Sequence, residues 1–122
     1  MGSVLLVGMG GALGAVGRYG LSLLPWRGEF PLLTLLTNLL GAVLIGFIAG
    51  LAGRGRLNPS AALFWKTGVC GGFTTFSAFS LEAVQLFEKG RHLAGSLYIL
   101  LSLLLCLAGV LAGQALSRLF AK

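Results

Sequence analysis

Gly68-Val69-Cys70-Gly71-Gly72-Phe73-Thr74-Thr75-Phe76-Ser77-Ala78-Phe79-Ser80 stands between two charges, Lys66 and Glu82, that bracket 15 uncharged residues. That bracketed run is nearly long enough to cross a bilayer, yet paired glycines followed by four hydroxyl residues make a poor lipid-facing helix. In a water-soluble protein the same run reads as a turn. Inside a membrane, broken helix is tolerated only where protein buries it or where it lines a watery cavity. Half-helices that meet at such an interruption present free backbone groups to ions. Residues 61–87 therefore read as a span broken near its centre, at a functional place. A helix merely kinked by its glycines is the alternative.

The chain on either side supports the membrane setting. Of 122 residues, 57% are hydrophobic and only 10% charged, and the mean hydropathy is +0.95. Soluble domains carry about 25% charged residues, and a soluble chain this short has too small an interior for so much apolar surface. A helix rises about 1.5 Å per residue, so a hydrocarbon core of roughly 30 Å takes about 20 residues. Residues 30–53 and 93–117 are uncharged runs of 24 and 25, long enough to span and far too long for strands. Residues 3–24 are apolar and glycine-rich, with Arg18 near the far end. Lacking a basic start and a cleavage signal, they read as a retained span and not a signal peptide. The expected fold is all-α and integral to the membrane, one domain over residues 1–122 with spans at about 3–24, 30–53, 61–87 and 93–119. The connections are short, and Asn58-Pro59-Ser60 has the form of a helix start, with Asn58 as cap and Pro59 in the first turn.

Twenty glycines is more than twice the usual share. Gly10 and Gly14, Gly46 and Gly50, and Gly109 and Gly113 are each four apart, which puts a flat strip on one helix face and lets backbones pack closely in lipid. Four helices leave little lateral room for a shielded aqueous path, so a pore or carrier built from them calls for an oligomer, of which two-fold dimers are the commonest kind. With four spans, one side holds Arg54, Arg56, Lys66, Arg118 and Lys122, and the other holds Arg18, Arg27, Lys89 and Arg91. Orientation normally follows an excess of Lys and Arg on the cytoplasmic side. A difference of one gives little instruction, so the chain either leans on a single dominant charge or inserts both ways up. The formal charge of +6 requires no nucleic-acid partner, because the positives are scattered at helix ends beside lipid headgroups.

Few side chains are available for chemistry. Asn38 lies deep in the second span, with Thr34 one turn before it and Gly41 three residues after. A carboxamide in hydrocarbon needs a partner or water; its hydrogens suit an anion, and a structural cross-helix bond fits the spacing equally. Phe76 and Phe79, three apart, face one way on a helix. They either pack or turn their electropositive ring edges to an anion. Tyr98 and Ser102 share a face of the fourth span and extend a polar route, as do Ser77 and Ser80 in the third. Arg18 snorkels to the interface or draws anions into a vestibule, and Lys66 has the same two options. Glu82 is expected at the aqueous end or paired with a cation. Cys70 and Cys106 are isolated and His92 stands alone, so neither a metal-ligand set nor a catalytic triad is assembled, and no enzyme emerges. There is no phosphate loop and no nucleotide fingerprint.

Three stretches resemble the Fluc (CrcB) fluoride-channel family. Gly10-Gly11-Ala12-Leu13-Gly14-Ala15-Val16-Gly17-Arg18-Tyr19 looks like its N-terminal signature, and Thr37-Asn38-Leu39-Leu40-Gly41 like its second-span signature. The run from Gly68 to Phe79 matches the third-span signature, the most specific of the three, with Ala78 where members often carry threonine. The resemblance covers essentially the whole chain. It implies an antiparallel, dual-topology homodimer with two pores, in which Asn38 donates hydrogen bonds to fluoride while Phe76 and Phe79 offer ring edges. It implies a pore-lining Tyr98, an Arg18 near the pore entrance, and a central sodium ion held by the backbone carbonyls of Gly71 and Thr74. It further implies a prokaryotic inner membrane and a passive, selective export of fluoride that relieves its toxicity. Two rivals stand beside this reading. A small proton-coupled drug exporter has similar length, but it needs a carboxylate deep in a span, and Glu82 is the sole candidate. A structural subunit would account for the glycines and not for the Gly-Gly-Phe-Thr-Thr-Phe-Ser interruption.

Overall fold

A computed structural model of the chain describes residues 1–120; Lys122, counted above among the positive residues, lies outside the described residues. Three helices are long and apolar enough to cross a membrane: α1 (Gly2–Ser22), α2 (Leu32–Gly53) and the last helix of the chain. Between them runs a composite rod of α3 (Pro59–Ala62), a π-helical stretch (Leu63–Cys70), α4 (Gly71–Phe73) and, after a break, α5 (Phe76–Glu88). The last helix, α6 (His92–Phe120), is 29 residues long. The chain is thus a bundle of four rods with the third one broken, as its sequence predicts.

Local chemistry sets the ends of these elements. Asn58 caps α3 by accepting from the Ala61 N–H at 2.7 Å, with Pro59 at the first position, where its missing N–H costs nothing. The turns after α2 and α5 each rely on one glycine with positive φ, Gly55 at 70° and Gly90 at 77°. In each, the next amide returns to the helix: Arg56 N–H to Leu51 O at 2.9 Å, Arg91 N–H to Leu86 O at 2.8 Å. This is the Schellman closure, which only a residue at ease in the left-handed region makes without strain. The break itself lies at Thr74 and Thr75, both extended, with ψ of 157° and 115°. Thr75 then caps α5, its hydroxyl accepting from Ala78 N–H at 3.1 Å. The π-helical stretch is a feature the sequence does not predict.

Glycine faces bring the rods together. A Cβ added at Gly10 would come 2.6 Å from Phe64 O, and one at Gly14 would fall on Val69 O, so α1 lies backbone to backbone on the first half of the broken rod. Added at Gly46 or Gly113, it would fall on Val110 O or Val43 O, which joins α2 to α6 in the same way. The helices α2 and α6 run side by side in one direction, antiparallel to α1 and the broken rod. The buried cluster is small: Leu35, Phe79, Ala83, Leu86 and Tyr98, with Phe30, Ala94 and Ile99 against it. Leucines and valines such as Val4, Leu13, Leu104 and Leu111 face outwards, the side on which lipid replaces water as solvent.

Candidate functional site: a groove at the broken helix

The break frees backbone groups that a continuous helix would use, and side chains from other rods take up part of them. Asn38 of α2 grips Thr75 from both sides of its amide plane: Nδ2 donates to Thr75 O at 3.1 Å, and Oδ1 accepts from Thr75 N–H at 2.8 Å. Arg18 of α1 donates from Nε to Gly72 O at 3.3 Å. Cys70 O accepts from both the N–H and the hydroxyl of Thr74, at 3.0 and 2.8 Å. The carbonyls of Gly71 and Thr74 take part in none of these bonds.

Both residues line a groove of about 630 Å³ walled by the broken rod, α2 and α6. Asn38, Phe76, Phe79 and Ser102 line it too. The two rings lie 5.5 Å apart and differ sharply in setting: Phe79 is 9% exposed and Phe76 is 77% exposed. Phe79 leads inward to Tyr98, 5.1 Å away between centroids, and Tyr98 meets the edge of Phe30 at 5.6 Å. The hydroxyls of Tyr98 and Ser102 are buried; neither makes a hydrogen bond of ordinary geometry among the described residues, although Thr34 and Glu82 lie close to that of Tyr98. Such groups are costly unless something occupies them. Ser102 lines the groove, whereas Tyr98 lies behind Phe79 with its hydroxyl towards Thr34 and Glu82.

The electrostatics of a broken helix divide this groove by sign. Carbonyls at the end of α4 make a partly negative site, and N–H groups at the start of α5 a partly positive one. Gly71 and Thr74 line the groove at the first of these ends. Phe76 and Phe79 stand in the first turn of α5 at the second, with Asn38 bonded to Thr75 beside them.

Other expected site residues fall elsewhere. Ser77 is exposed and bonds to the Thr75 hydroxyl at 3.2 Å, while Ser80 donates to Phe76 O at 2.8 Å; both have local partners. Arg18 approaches the broken rod from α1, and it does not line the groove. Glu82 accepts from the Thr34 hydroxyl at 2.7 Å, so its partner is a hydroxyl and not a cation. It lines a separate cleft with Lys89 and Gln85 near the Glu88 end of the rod, towards the aqueous side. Sequence reasoning passed over Thr75, which is both the cap of α5 and the partner of Asn38. A threonine just ahead of Phe-Ser-Ala is a cap signal, but which side chain would clamp it 37 residues away is not written locally.

Four rods, three of them long and apolar enough to cross a membrane and the other broken over a groove, define a small polytopic membrane protein. The chain belongs to the CrcB family: the family model described as CrcB-like protein, Camphor Resistance (CrcB), matches residues 5–114. A protein of Agrobacterium fabrum named Fluoride-specific ion channel FluC is 48% identical over 121 residues, covering 95% of this chain and 96% of its own. Proteins of the same name from Rhizobium meliloti and Azobacteroides pseudotrichonymphae are 48% and 43% identical, each covering at least 96% of both chains.

Proposed function

We propose that the chain is a passive fluoride channel of a prokaryotic inner membrane, working as an antiparallel homodimer in lipid. The observation that carries this reading is the groove at the break, where Asn38, Phe76, Phe79 and Ser102 converge. The names of the relatives supply the ion. A second copy related by an axis in the membrane plane would cover the groove and the exposed Phe76, and would bring two breaks together at mid-depth. Carbonyls of Gly71 and Thr74 from both copies would then hold sodium, which when bound supplies a fixed positive charge that neutralises the paired helix ends. In each pore Asn38 donates to fluoride, Phe76 and Phe79 turn their edges to it, and Ser77, Ser80, Tyr98 and Ser102 line the approach. Arg18, expected at the pore entrance, instead places its charge beside the break on the side away from the groove.

Fluoride enters cells as neutral HF and is trapped as the anion in the more alkaline cytoplasm. An inside-negative potential drives an anion outward with about 2.3 kcal/mol per charge for each 100 mV. Nothing more than a selective path is needed, and no bond is made or broken. Weak, repeated sites let the ion leave as readily as it enters. Liposomes holding this protein alone are expected to release fluoride much faster than chloride, with neither ATP nor a proton gradient supplied. Equal efflux of the two anions would sink the proposal. A proton-coupled exporter is less well supported, because its sole candidate carboxylate, Glu82, lies towards the aqueous end of the rod and is engaged by Thr34.

The two rings are expected to separate under substitution by isoleucine. Phe79→Ile opens the core cluster beside Tyr98, so it should cost about 1–2 kcal/mol of stability as well as flux. Phe76→Ile removes a ring that is exposed in the single chain, so flux should fall with a smaller loss of thermal midpoint than in Phe79→Ile. Undiminished efflux in both variants would leave packing as the whole account of the pair.

A further inference from the structure

We propose that Lys66 is a vestibule cation that gathers anions at the mouth of the groove, a task the sequence offered first to Arg18. This inference rests on the channel reading above. Arg18 reaches the far side of the broken rod and gives its Nε–H to Gly72 O. Lys66 is exposed and lines the groove itself, on the strip that continues through Thr67, Cys70, Gly71 and Thr74.

The register of the rods places it. Asn38 is level with Thr75, and a Cβ at Gly41 would fall on Thr74. Ala42 and Ile45, further along α2, therefore line the end of the groove where Lys66 stands, as Val110 does from α6. Lys66 is the charged residue of this wall, and no carboxylate lines the groove with it. The ion pair between Arg91 and Glu29, at 2.8 Å, is at the opposite end of the bundle. When a second copy covers the groove, a dry, unpaired ammonium would cost several kcal/mol. That end of the groove must stay filled with water, and it becomes an aqueous vestibule with low-dielectric walls that focus the field of its one cation. Lys66 is five positions before Gly71, about 7.5 Å along the axis at the α-helical rise, which is inside the Debye length of about 8 Å at physiological salt. The charge is near enough to the break to concentrate an anion there and too far from Asn38, Phe76 and Phe79 to replace the selective contacts. Pairing with a carboxylate of the second copy is the competing account.

Two measurements on the assembled full chain decide this. Lys66→Cys is treated with a small impermeant thiol reagent and read by peptide mass, with the parent chain, which has Cys70 and Cys106 only, treated in parallel. A vestibule predicts labelling at position 66; an unreactive Lys66→Cys overturns the placement whether or not the protein conducts. Fluoride efflux is then measured below saturation. Lys66→Gln should lower it about three- to tenfold at low ionic strength, a deficit that shrinks at high salt. Lys66→Arg should match the parent. A cationic reagent on Lys66→Cys should restore flux and an anionic one lower it further, with the preference for fluoride over chloride unchanged throughout. A loss in Lys66→Gln that ignores salt and recurs in Lys66→Arg, or dissociation of the dimer in Lys66→Gln, overturns the proposal in favour of packing or pairing. Absence of selective fluoride flux in the parent chain counts against the channel reading, while labelling still decides where Lys66 lies.

Discussion

Asn38→Asp is expected to reduce fluoride efflux from liposomes on the order of a thousandfold at neutral pH, the largest effect of any single substitution in the pore. A fixed negative charge about 4 Å from a passing anion repels it by about 4 kcal/mol at an effective permittivity of 20, and about 1.4 kcal/mol is a factor of ten. The substitution keeps the carboxyl oxygen that accepts from Thr75 N–H and removes the Nδ2 donor to Thr75 O. Loss of that one buried bond costs about 1–3 kcal/mol, so the chain should still fold and assemble, with a lower thermal midpoint. Efflux is therefore read only on protein whose dimer is verified by cross-linking. Wild-type flux in such a dimer would mean that Asn38 is a clamp for the break and nothing else.

That double use of one side chain marks where the sequence stops being informative. The position of the break follows from Gly71-Gly72 and the hydroxyl run, because glycine and threonine weaken a helix wherever they occur. The glycine pairs at 10 and 14, 46 and 50, and 109 and 113 likewise all lie at helix contacts, including Gly50 against Ser117. Spacing alone specified those strips, since four residues are one turn. The partners across the bundle are another matter. Asn38 with Thr75, Thr34 with Glu82, and Arg18 with Gly72 are separated by 37, 48 and 54 positions. Each depends on how two rods are rotated and slid against one another, which single-residue patterns do not encode. The π-helical stretch has the same origin: it shifts the rotation of the rod ahead of the break. The residues expected to serve fluoride consequently divide in the fold. Asn38, Phe76, Phe79 and Ser102 gather on the groove, whereas Arg18 is drawn to the other side of the broken rod.

Biasing the insertion of this chain is expected to remove nearly all of its flux, and restoring the opposite orientation to bring it back. The warrant is the distribution of charge. Lys66 lies in the groove and Arg18 at the break, within the bundle and not at its ends. The remaining positives are Arg54, Arg56 and Arg118 at one end, and Arg27, Lys89 and Arg91 at the other, with Lys122 outside the described residues. The balance differs by no more than one, and Arg91 is already matched by Glu29, so the insertion machinery receives almost no preference. Ser60→Cys, at the exposed start of α3, reports orientation without altering that balance. An impermeant reagent added from one side should modify about half the copies, the fraction expected of nearly balanced charge. Two lysines added to the turn between α2 and α3 should bring that fraction towards zero or one. Flux should then fall by more than about tenfold, because antiparallel pairs become scarce as one orientation dominates. Co-expression of a version with two lysines added to the turn between α5 and α6 should recover it, since each population then supplies the partner the other lacks. Two copies inserted the same way up can also be symmetric, but their axis runs along the membrane normal and leaves each break facing a different part of its neighbour. Full activity in a population labelled entirely from one side would therefore replace the antiparallel pair with a parallel one.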